Sequence, residues 1–152
     1  MKKTIIIIII ALLFILGFFL YPNGNREDGT IPISFGNLTI HTEIADTKDK
    51  RTLGLGGRDS LAQNRGMLFV FEEEGLWGFW MKDTRFPIDI IWINSDYNIV
   101  HIETDVKPET YPTVFRPDEP ALYVIEVNAG VFERSGLQKG GTIGGISLLE
   151  NK

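Results

Sequence analysis

The side chains with chemistry to offer are Arg51, Trp80, Lys82, Asp83, Thr84, Asp89, Glu126 and Asn128. Two carboxylates in differing environments can divide the roles of general acid and general base, for example on a glycan. Here they would be Asp89 and Glu126, with Lys82 or Arg51 neutralising charge. Without catalysis, the same residues make a polar patch in an aromatic-walled concavity, a pocket lined by Trp80, Lys82, Thr84 and Asp89. The structural reading instead buries Asp89 against Lys82, Arg85 or backbone amides, since an unpaired buried carboxylate is costly and hydrogen-bonded ones are common. Asn128, just before Ala129-Gly130, reads more simply as a turn residue at a strand end. Tyr111 and Phe115 sit on a proline-rich stretch and, if exposed, are candidates for contact with a partner.

Other chemistries lack their residues. There is no cysteine, and the two histidines, His41 and His101, are not in a ligand-like spacing, so no zinc, haem or iron–sulfur site is expected. Calcium would find carboxylates, but Asp96-Tyr97-Asn98 lacks the rest of an EF-hand loop. No Gly-x-Ser-x-Gly element is present, and Gly54-Leu55-Gly56-Gly57 follows a helical pattern and lacks the lysine of a phosphate loop. The expectation is no metal and no cofactor. From Pro22 onward 13 basic residues face 20 acidic ones, a net charge of −7 that argues against nucleic acid as a partner.

The elements that must hold these residues start with Trp77 to Ile93, which contains all three tryptophans. Two apolar arms flank Asp83 to Pro87, which predicts a β-hairpin covered on both faces, its tryptophans in the core. Whether Lys82 meets Asp89 then depends on hairpin register. Upstream, residues 31–35 and 38–44 alternate around Gly36-Asn37, a two-residue hairpin signal. Asp46 or Thr47 can cap a short helix through Leu53, ended by glycines. Met67 to Phe71 is an apolar strand, broken by the acidic run Glu72-Glu73-Glu74-Gly75. Downstream come a half-exposed strand at 97–104 and a segment from Asp105 to Pro120 with prolines at 108, 112, 117 and 120. A strand at 121–128, a helical turn or two at 129–136 and a last strand at 142–149 complete the chain. The fold class expected is mainly β, at the margin of α+β: a single small antiparallel barrel or sandwich with one or two short helices.

Ahead of this domain, Ile5 to Tyr21 is an uncharged apolar run of seventeen residues after Lys2 and Lys3. As a helix it would span about 25 Å, close to the roughly 30 Å hydrocarbon core, and flanking residues can reach the interfaces. No small-x-small pattern follows, so residues 1–22 read as an uncleaved signal anchor or transmembrane segment rather than a removed leader. The lysines would stay in the cytoplasm and place the rest outside. Residues 23–30 are a polar linker, and 31–152 form the extracytoplasmic domain.

Five motifs in order carry a resemblance: Arg51-Thr52-Leu53-Gly54-Leu55-Gly56-Gly57-Arg58, Gly66 to Phe71, Phe79 to Thr84, Pro87 to Ile91, and Glu126-Val127-Asn128-Ala129-Gly130. By these, the chain resembles the family called domain of unknown function 192 over nearly all of the domain. That resemblance implies a compact, mostly β fold in small secreted or anchored prokaryotic proteins with no agreed activity. The family usually has asparagine at the position of Asp83 and commonly phenylalanine at that of Trp92. The expected function is a membrane-tethered binding or accessory module for a small molecule, glycan or envelope protein. The alternative is an envelope hydrolase using Asp89 and Glu126.

Overall fold

The computed structural model describes residues 29–149; the expected membrane segment and most of the linker lie outside them. Among the described residues no helix is long and apolar enough to cross a membrane. Ile31–Phe35 (β1) and Leu38–Ala45 (β2) form the hairpin that Gly36-Asn37 signals. Gly36 has φ 63°, and a Cβ there would meet the Ser135 carbonyl, so only glycine fits the turn. Lys48–Leu53 (α1) follows, with the Thr47 hydroxyl accepting from the Lys50 amide as N-cap. Arg65–Gly75 (β3), Ile88–Ile93 (β4), Ile99–Val106 (β5), Ala121–Asn128 (β6) and Val131–Ser135 (α2) complete the regular elements. Short 3-10 turns lie at Pro108–Thr110 and Ile146–Leu149.

The strands form one sheet in the order β1-β2-β3-β6-β4-β5. It is mixed rather than antiparallel, because β2 and β3 run parallel. A parallel pair needs a long crossover, and residues 46–64, with α1 inside them, supply it. That crossover lays α1 and Leu55 over one face of the sheet. Nor does the sheet close into a barrel: β1 and β5 remain its outer members, and residues 140–144 bond to Ser34 of β1 and to Tyr97 and Ile99 at the start of β5.

Both faces are covered, so there are two cores. Ile33, Phe35, Leu68, Ile91, Ile125 and Val127 lie in one, under α2 and the C-terminal segment. Leu55, Phe69, Phe79, Ile90, Trp92 and Val124 lie in the other, under the crossover and the 76–87 loop. All six residues of β4 are buried, as expected of a central strand covered on both sides.

Three expected elements differ. Residues 77–87 do not form the first arm of a hairpin; β4 pairs with β5 and β6, and 76–87 crosses the sheet as loop, with one two-bond bridge between Phe79 and Phe115. The reason is competition for edges: both sides of β4 are already taken, by β5 and β6. The acidic run at 72–74 does not end β3, which continues past a register shift to pair Gly75 with Ala121. Residues 142–149 make isolated bridges and a 3-10 turn instead of a strand. Gly144 and Gly145 interrupt them, Gly145 at φ 91°.

Candidate functional site

Glu126 lies on β6 between Met67 of β3 and Ile90 of β4, all three on the face under the crossover. The residue is 5% exposed, and its Oε2 is buried with no hydrogen-bond partner among the described residues. Burial among apolar neighbours disfavours the charged form and pushes its carboxyl up to about 8, against a weaker opposing pull from Arg58. Arg58 is itself held by both oxygens of Glu43, at 2.6 and 2.9 Å. At neutral pH Glu126 is therefore a neutral acid with one hydrogen to donate.

Above it opens a hollow of about 420 Å³, a size common for small-molecule sites. Phe69, Phe71, Trp77, Phe79 and Trp80 wall it; Lys48, Arg51, Leu53 and Lys82 stand among the polar and apolar residues around it. Phe69 and Phe71 alternate on one face of β3, while Trp77 stacks on Phe71 at 4.2 Å and Phe79 packs edge-on to Phe69. Gly54 passes beside the carboxyl at φ 52°, and a Cβ there would sit 3.7 Å from Oε2, so a glycine keeps the space over the acid clear. Arg51 ties α1 to β3: its guanidinium donates to the carbonyls of Val70 and Asp46 and to Glu72, and lies over the Phe71 ring.

Five of the sequence candidates converge here: Arg51, Trp80, Lys82, Thr84 and Glu126 all line the hollow. Asp89 does not. It is wholly buried, one β position from Ile90 and therefore on the opposite face from Glu126, accepting from the Asp105 and Phe132 amides at 3.0 and 2.9 Å. The structural reading holds for Asp89, and the carboxylate pair cannot meet across a cleft. Neither does Lys82 pair with it. Asn128 is a connector, its amide donating to the carbonyls of Leu61 and Ala62. Asp83 lines a smaller neighbouring hollow of about 310 Å³ with Gly56, Gly57 and Arg85. Its φ of 58° lies in the left-handed region, which aspartate and asparagine tolerate better than most residues.

Tyr111 is exposed, its ring 5.8 Å from that of Trp80, whereas Phe115 is half-buried and holds Phe79 through the backbone bridge. The tryptophans divide. Trp92 is core and donates to the Trp77 carbonyl, Trp77 is half-buried, and Trp80, expected in the core, is 45% exposed. Residues that the sequence reading passed over include Lys48, Phe69 and Phe71. The i, i+3 spacing of Lys48 and Arg51 on α1 was the available signal for the first, and β alternation for the other two.

A family model, domain of unknown function 192 (uncharacterized ACR), matches residues 31–145. No curated protein matches. Two solved structures are similar, each with a TM-score of 0.70. One, from Sinorhizobium meliloti 1021, is described as a candidate transcription regulator; it is 31% identical, over 76% of this chain and 92% of its own. The other, a protein of unknown function from Novosphingobium aromaticivorans DSM 12444, is 27% identical, over 78% of this chain and 89% of its own.

Proposed function

For a chain that belongs to the domain of unknown function 192 family, we propose the role of a small-molecule binding module, its site the aromatic hollow over Glu126. One observation carries the reading: the buried Oε2 of Glu126, without a hydrogen-bond partner among the described residues, at the base of that hollow. Native proteins rarely leave such a group unsatisfied, because an unmade bond in the interior costs about 1–3 kcal/mol. A ligand that hydrogen-bonds to Glu126 would recover that cost. The concave shape favours a small molecule over a protein partner or a long glycan. With Asp89 on the far face, a two-carboxylate hydrolase has no support from the geometry. The description of the Sinorhizobium protein stays with that protein; the acidic balance of this domain speaks against nucleic acid. In this reading residues 1–22 hold the module at the outer side of the cytoplasmic membrane.

The test is a screen of small ring compounds followed through the indole N–H resonances. Binding should shift those of Trp77 and Trp80, with Trp92, already bonded to a carbonyl, as internal control. Trp80→Ala, at an exposed position, should weaken binding about tenfold, or about 1.4 kcal/mol, and leave Tm nearly unchanged. Ligands that bind Trp80→Ala and the parent chain equally, or that shift only Trp92, would place the site elsewhere.

A further inference from the structure

The hollow is charged unevenly from rim to base. Lys48, Arg51 and Lys82 line it, against the carboxyls of Glu72 and Glu126. Arg51 and Glu72 neutralise one another at 3.0 Å. A backbone hydrogen bond first, then Arg51, holds the Glu72 carboxyl below its ordinary value. Lys48 and Lys82 are both exposed, and among the described residues neither ammonium forms an ion pair. Lys82 Nζ lies 5.8 Å from the Trp80 ring centre, held beside the wall of the hollow. The apolar side chains of Leu53, Trp80 and Tyr111 are exposed nearby, Tyr111 against Trp80.

An organic cation entering this site would pass two unpaired ammonium groups and meet a base held neutral by burial. An anion meets the reverse: attraction at the rim, rings along the walls and a hydrogen-bond donor within. Resting on the pocket reading above, we infer that the occupant is a small organic anion with three parts. Its carboxylate or phosphate lies by Lys48 and Lys82, its ring body between the aromatic walls, and a carbonyl or hydroxyl oxygen at its far end accepts the Glu126 hydrogen. Each part answers a separate feature of the site, so each can be removed separately.

Four probes do this: 4-acetylbenzoate, its methyl ester, 4-acetylbenzylamine and 4-ethylbenzoate, titrated at low salt against the tryptophan fluorescence of the domain. The expected order puts 4-acetylbenzoate about tenfold tighter than the ester, the amine or the ethyl compound. Lys48→Ala with Lys82→Ala should bring the acid down to the level of the ester without moving the ester. Binding of 4-acetylbenzoate should weaken above pH 8 in the parent chain and stay level in Glu126→Gln, whose amide still donates. Tightest binding of the amine, or equal binding of acid and ester, overturns the anion inference and leaves the pocket standing. If none of the three charge classes changes the fluorescence, the pocket reading falls with it.

Discussion

Glu126 and Asp89 are neighbours across one strand pair, yet the pleat sends them to opposite faces and opposite fates. Asp89 is satisfied by two backbone amides, one from the end of β5 and one from α2, so it fastens two elements to β4. Asp89→Ala should cost roughly 2–4 kcal/mol in urea denaturation, because two partly buried amide donors lose an acceptor that is itself wholly buried. Asp89→Asn, which keeps one acceptor, should cost less; a loss below about 1 kcal/mol for alanine would mean that water replaces the carboxylate. Glu126 is the opposite case. Its carboxyl is raised from 4.5 to about 8, so between those pH values the folded chain holds a proton that the unfolded chain has released. Stability therefore falls by about 1.4 kcal/mol per pH unit across that window and is fully present only below it. Glu126→Gln should remove this slope and be the more stable chain at pH 8 and above. Parallel stability curves for the two chains from pH 5 to 9 would show that the carboxyl titrates normally.

Among the elements, α1 is the one that shapes the rim, and it buries no side chain of its own. A six-residue helix has little intrinsic stability in water, so its place depends on the Thr47 cap and on Arg51, whose guanidinium reaches β3. Arg51→Met should speed amide exchange at residues 50–54 while β6 stays protected, with a global loss of about 1–2 kcal/mol. Unchanged exchange there would mean that the crossover chain alone positions the helix. The β1–β2 hairpin, α1, the cores of β3 and β6, β5 and α2 were all legible from local signals: Gly36-Asn37, Thr47, apolar runs, alternation at 97–104, and Gly136 after the last turn. The first arm of the expected tryptophan hairpin was not. Trp77, Phe79 and Met81 alternate as a strand should, but strand pairing is settled by which partner occupies each edge, and β5 and β6 occupy those of β4. Aromatics left without a ladder became the wall of a hollow instead.

For the molecule as a whole, the proposed membrane tether and the folded domain can be tested separately. Expressed in a bacterial host with a C-terminal tag, the full chain should resist alkaline carbonate extraction, and protease added to intact spheroplasts should remove the domain. A chain recovered in the soluble fraction, or protected from that protease, would refute the tether and leave the pocket untouched. The apolar run at 5–21, the β-rich domain and its short helices, and the membership in an uncharacterised family were all written in residue order, because each depends on neighbours along the chain. The sequence also put Arg51, Trp80, Lys82, Thr84 and Glu126 on one short roster, without the means to separate them from Asp89 or Asn128. That separation came from tertiary structure alone. The parallel crossover carries α1 over the sheet, β3 and β4 flank Glu126 with apolar side chains, and the pleat turns Asp89 away. Which carboxyl faces a hollow and which is held by backbone amides depends on residues dozens of positions apart in the chain, and no local pattern encodes that distance.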